Sequence, residues 1–165
     1  MDTPSVIAQR VLDAMAKAWA SGDAAGYAAI FKDTGALLHH RSGQTLRGRQ
    51  RIYEGHAYAF RVTHRNSTLE DSRVISATLV KEGVISVNAV RTVCKGATRN
   101  KYNLTLLLEK EEDGGAFLIA HFAAKKQQQG ILGLESTTLA VTVTAFVVGV
   151  LVLGMVGWRK LKIKT

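Results

Sequence analysis

Five histidines, a single cysteine and a run of arginines are the side chains of this 165-residue chain best suited to chemistry. His39 and His40 are adjacent and Arg41 follows them, while His56, His64 and His121 stand apart. Histidine serves as a general base because its unperturbed pKa, about 6.5, lies close to working pH; His39 is the candidate base. Clustered histidines also suggest a metal centre. Adjacent residues of a strand point to opposite faces, however, so only one of His39 and His40 enters a shared pocket. No Asp or Glu stands beside them to complete a ligand set, and no metal or other cofactor is expected. Cys94, between Val93 and Lys95, has no activating partner in its local sequence and reads as a packing thiol. Being single, it excludes an intramolecular disulfide framework.

The arginines are Arg47, Arg49, Arg51, Arg61 and Arg65, gathered in and around one segment. Nucleic-acid binding would need a phosphate-cradling glycine loop or aromatic residues interleaved with the basic ones, and neither is present. The formal charge of the chain is +9, from 22 Lys+Arg against 13 Asp+Glu. Four of those cations, Arg159, Lys160, Lys162 and Lys164, lie in the last seven residues. Residues 1–136 thus hold 18 basic and 13 acidic side chains, a modest +5. A solvated face, or contact with an acidic neighbour or anionic headgroups, is the reading of these arginines; nucleic acid is not expected as a partner.

The elements that must position these groups follow from periodicity. Thr3-Pro4 opens a helix whose apolar stripe is Ile7, Val11, Met15, Ala18 and Trp19. Ser21-Gly22-Asp23 ends it and caps a second helix near Ala24–Phe31. Gly35–His40 reads as a short strand, Arg41-Ser-Gly-Gln as a turn, and Arg49–Arg61 as a third helix with Ile52, Tyr53, His56 and Phe60 on one side. Beyond Val62 the period becomes two. Strands are expected over Ser67–Leu79, bent midway, then Val84–Lys95, Lys101–Lys110 and Ala116–Lys125, joined by hairpins. Helices followed by a strand meander define an α+β fold, three helices on one face of a curved antiparallel sheet.

A separate segment follows. From Ser136 to Trp158 there is no charged residue. Residues 137–158, which include Thr138, Ala145, Gly149 and Trp158, would span roughly 33 Å as a helix at ~1.5 Å per residue. A bilayer's hydrocarbon core is about 30 Å thick. Trp158 stands where an interfacial aromatic belongs, directly before the basic tail 159–165. Ala145 and Gly149 form a small-residue spacing that would let a second helix approach. Residues 1–126 are therefore read as the globular domain, 127–136 as a linker, 137–158 as a transmembrane helix and 159–165 as a basic tail. Because Met1-Asp2-Thr3-Pro4 leads straight into an amphipathic pattern, a C-terminal tail anchor is the expected topology.

Several motifs resemble a known family. Trp19-x-x-Gly22-Asp23, Tyr27-x-x-x-Phe31-x-Asp33, and Gly43 before Gly48-Arg49-x-x-Ile52 are similar to the SnoaL-like group of the NTF2-like superfamily, with motifs over about residues 10–60. The resemblance implies a cone whose helices and bent sheet enclose a pocket, lined here by Met15, Trp19, Phe31, His39, His56 and Tyr58. In ketosteroid isomerase-like members it further implies a carboxylate base at the end of the first strand and an oxyanion-hole tyrosine on the first helix. Those positions hold His39 and Met15, both departures from the pattern. Methionine cannot donate a hydrogen bond to an enolate.

Three functions are then open. The first is a non-catalytic, membrane-anchored accessory or scaffold subunit of a larger membrane complex, mitochondrial in preference, with the bilayer and other subunits as partners. The second is a tethered isomerase, cyclase or hydratase acting on a lipophilic substrate, with His39 as base. The third is a module that holds a lipid or other small ligand unchanged. An enzyme is not the favoured expectation.

Overall fold

The computed structural model describes residues 2–38, 44–112 and 115–127. His39, His40 and Gly43, the linker from 128, the expected membrane helix with Thr138, Ala145, Gly149 and Trp158, and the basic tail lie outside them. Among the described residues no helix is long and apolar enough to cross a membrane.

Helix α1 runs from Pro4 to Ser21, with Thr3 capping its start through a bond from the Val6 N–H. It ends where Gly22 takes a left-handed backbone, φ 65°, a conformation glycine adopts without penalty. Asp23 then caps α2, accepting from the Gly26 N–H at 2.8 Å. This second helix is only Ala24–Ala29. The expected extension to Phe31 is overturned, and so is the later strand start at Gly35: Phe31 already opens β1, Phe31–Leu38, opposite Ile119. Tyr27 and Phe31 are four residues apart, which mimics one more helical turn, but pairing with the sheet takes Phe31 instead.

A short strand β2, Thr45–Arg47, precedes α3, Arg49–Arg61. The meander is β3 (Ser67–Lys81), β4 (Val84–Lys95), β5 (Thr98–Lys110) and β6 (Phe117–Lys126). β5 starts three residues earlier than its alternation suggests, because Gly96-Ala97 alone makes the turn. All strands join one sheet in the order β2-β1-β6-β5-β4-β3. It is not wholly antiparallel as expected: β1 runs parallel to β6. The meander alternates direction through four strands and brings β6 back alongside a strand laid down before α3. Gly35 lets β1 approach β6, since a Cβ there would stand 2.8 Å from the Ile119 carbonyl oxygen. The bend foreseen in β3 is real; its register against β4 shifts three times, and Asp71 adopts φ 50°.

The concave sheet face carries Ile85, Val87, Ala89, Leu104, Leu106, Leu108, Ile119 and Phe122, all buried with Ala8, Leu12 and Met15 of α1. Alternation, with a bulge between Ile119 and His121 in β6, puts these positions on one face and Asn88, Asn103, Thr105 and His121 on the other, exposed one.

Candidate functional site

At the end of the sheet away from the β4–β5 leucines, the core does not close. A cavity of about 70 Å³ lies between the C-terminal part of α1 (Trp19), α2 (Tyr27), α3 (His56) and the turn after it (His64). Its floor is Leu37, Leu38, Arg91, Val93, Tyr102, Phe122 and Ala124. The strands explain its position. Along β4 the inward phase reads Ile85, Val87, Ala89, Arg91, and along β5 Leu108, Leu106, Leu104, Tyr102. Ala89 faces Leu104, which faces Ala124, and Arg91 faces Tyr102. The two alanines withdraw bulk where the aliphatic rows end, and the next inward pair is polar.

Arg91 is the exceptional group. It is 8% exposed, and its Nε–H has no hydrogen-bond partner. Among the described residues no carboxylate pairs with it. Its guanidinium carbon lies 5.2 Å from the Phe122 ring centre and 5.7 Å from that of Trp19. Contacts of this kind are worth about 0.5–2 kcal/mol, whereas a buried ion without a counter-charge costs several kcal/mol. The aromatic contacts therefore offset only part of the cost.

The walls around it are held firmly. His56 Nδ1 is 2.8 Å from the Ile52 carbonyl, an acceptor, so Nδ1 carries the proton. The His56 ring stacks on Tyr27 at 4.1 Å. Trp19 donates from Nε1 to Ser67 Oγ at 3.2 Å, and Ser67 Oγ donates to the His64 carbonyl at 2.7 Å. The His64 ring lies 4.6 Å from Trp19. Burial pushes the Tyr27 phenol above its ordinary pKa, and the Arg91 charge and its hydrogen bond with the phenol counter part of that rise.

Of the six pocket residues expected from the sequence, Trp19 and His56 line the cavity. Met15 and Phe31 are fully buried but stand behind its walls, Phe31 between Tyr27 and Phe122. Tyr58 points to solvent, 59% exposed. It follows His56 by two residues, about 200° around a helix with 3.6 residues per turn, so the two cannot share a face. Tyr53 is exposed for a related reason: Ile52, His56 and Phe60 define the inner stripe. His39 lies outside the described residues, next in sequence to the cavity residue Leu38. Arg91 and Tyr102 were missed. The available signal was a cation in the apolar phase of a strand.

No Asp or Glu lines the cavity among the described residues, and no group of three His, Cys, Asp or Glu is arranged there to hold a metal. Cys94 is buried beside the Arg99–Glu70 ion pair; burial, then its hydrogen bond with Glu70, raises its pKa and leaves it a poor nucleophile. The remaining motif residues are architectural. Arg49 Nε donates to the Phe31 carbonyl at 2.9 Å and its Nη1 pairs with Asp33 at 3.0 Å, tying α3 to β1.

Helices over a curved six-stranded sheet with a cavity at its open end define an NTF2-like, or cystatin-like, α+β fold. The chain belongs to the SnoaL-like domain family, which matches residues 8–124. No curated protein matches the sequence. Among solved structures, a domain of unknown function with a cystatin-like fold from Nostoc punctiforme is similar at 21% identity and TM-score 0.69, over 91% of this chain and 98% of that one. An uncharacterised cystatin-like protein from Caulobacter vibrioides matches at 20% identity and TM-score 0.66, over 76% and 90%. A ketosteroid isomerase-like protein from Erwinia carotovora atroseptica matches at 15% and 0.63, over 78% and 99%. These likenesses concern the fold.

Proposed function

We propose that this protein is a non-catalytic, membrane-held SnoaL-like module, an accessory subunit of a larger membrane complex, whose cup binds a small molecule. The observation that carries the binding role is the cavity at Arg91: the space is left open, with a cation in a largely apolar lining, instead of being filled by Met15, Phe31 and Tyr58. Among the described residues its lining holds no carboxylate pair that would shuttle a proton between two carbons. The uncharged run 137–158, Trp158 and the four cations of the tail support attachment to a bilayer, and a basic tail of this kind favours a mitochondrial membrane. Exposed Arg47, Arg51, Arg61 and Arg65 suit an acidic neighbour or anionic headgroups.

Native mass spectrometry of the full chain, released gently from membranes, tests the binding role. A bound small molecule that leaves on denaturation is expected, and an empty cup in every preparation would refute it. Extraction of the chain by carbonate washing would refute the anchor, and migration as a lone monomer on blue-native electrophoresis would refute subunit status.

A second reading is a tethered isomerase, cyclase or hydratase acting on a lipophilic substrate. Arg91 beside the Tyr27 phenol favours it, since both stabilise a developing oxyanion. His39 would be the base, and His39→Ala should then abolish turnover without unfolding the protein.

A further inference from the structure

We infer that the occupant of the cup is a small monocarboxylate with a flat or apolar body, its carboxylate paired with Arg91. This rests on the reading of the cup as a binding site and adds the chemistry of what binds. A guanidinium more than nine-tenths buried, with Nε unmet and no acid among the described residues to neutralise it, is left needing an anion. Arginine's planar fork matches a carboxylate with two parallel N–H···O bonds. Tyr27 bears on the same point: its phenol hydrogen-bonds to Arg91 but stays protonated, so it supplies no counter-charge, and its O–H can turn to a bound anion.

The rest of the lining sets the body of the ligand. Trp19, Phe122 and Tyr102 present aromatic surface, and Leu37, Leu38, Val93 and Ala124 present aliphatic surface. A volume of about 70 Å³ leaves room for a short or single-ring acid. A phosphate suits the site poorly. Among the described residues Arg91 is the one lysine or arginine in the lining, and apolar walls penalise a doubly charged, strongly hydrated ion.

Calorimetric titration of the full chain in mild detergent with benzoate, its neutral isostere benzamide and inorganic phosphate tests the assignment. Benzoate should bind about 10- to 100-fold more tightly than benzamide, the factor expected for hydrogen bonds to a charged group. Arg91→Gln should erase that preference, and Arg91→Lys should keep part of it. Because the benzoate–benzamide comparison uses the unaltered protein, poor folding of a variant does not blunt it. Equal binding of the two, or phosphate displacing benzoate, overturns the carboxylate assignment and leaves the cup a binding site. Binding of none of the three by protein that carries a native small-molecule adduct also overturns the assignment. A cup that is empty in native mass spectra as well overturns the binding role itself.

Discussion

Between α1 and β3, the polar group that enters the interface is met on both sides. Gln9 donates from Nε2 to the Ser72 carbonyl at 3.0 Å and accepts from the Val74 N–H at 3.1 Å, bridging a stretch where β3 slips register. Ala8, Leu12 and Met15 close the apolar surface beside it. Around the cavity Trp19, Tyr27 and His56 are as tightly held, yet they surround an open space and an Arg91 whose Nε is unmet. The contrast separates two uses of burial. Complete packing with matched hydrogen bonds fixes the fold, and that reserve of stability lets the molecule retain, elsewhere, a group that lowers stability until something binds.

The comparison can be broken or sharpened by experiment. The largest effect should come from Phe31→Ala, which removes a fully buried ring from behind the cavity wall; a loss of about 3–5 kcal/mol is expected in denaturant titrations. Arg91→Met should move stability in the opposite direction, raising it by about 1–4 kcal/mol by removing an uncompensated buried charge. If Arg91→Met instead destabilises as a core mutation does, the two regions do not differ and the contrast collapses. Gln9→Ala should cost about 1–3 kcal/mol because it leaves the Val74 N–H without its partner.

Smaller effects concern titration. The Tyr27 phenol is raised above its ordinary value of 10.0, so its contribution to stability is full below that pH and is lost as pH climbs through the folded value. Unfolding midpoints followed from pH 9 to 11 should show this decline, and Tyr27→Phe should flatten it. Cys94, with its thiol raised by burial and by Glu70, should react with an alkylating reagent more slowly at pH 8 than an unfolded control.

Much of the frame was legible because period and punctuation agree. Pro4, Gly22 and Asp23 mark helix ends that the structure uses, and β4 runs from Val84 to Lys95 as its alternation requires. Legibility failed where a residue satisfied two patterns at once. Phe31 fits one more turn of α2 as well as it fits β1, and only contact with Ile119 decides. The site was harder still. Trp19 and His56 could be placed from the helix stripes, but Arg91 sits among twelve strand residues and becomes unusual only once the strands are assembled and no acid among the described residues pairs with it. Local sequence does not carry that information; it arises from what α1, α2 and α3 bring over the sheet. Tyr58 shows the converse error, an aromatic side chain assigned inward by type when helical phase turns it out.

The broken register of β3 has a further consequence. This fifteen-residue strand borders the sheet, with Ile75, Leu79 and Val80 largely uncovered. A long, straight, greasy border would invite another chain to zip along it and seed fibres. The slips after Glu70, Val74 and Leu79 divide it into runs too brief for continuous pairing, and Arg73 and Lys81 add repulsion between like copies. The same kinks that wrap this ribbon around α1 thus also keep neighbouring molecules from adding themselves to it.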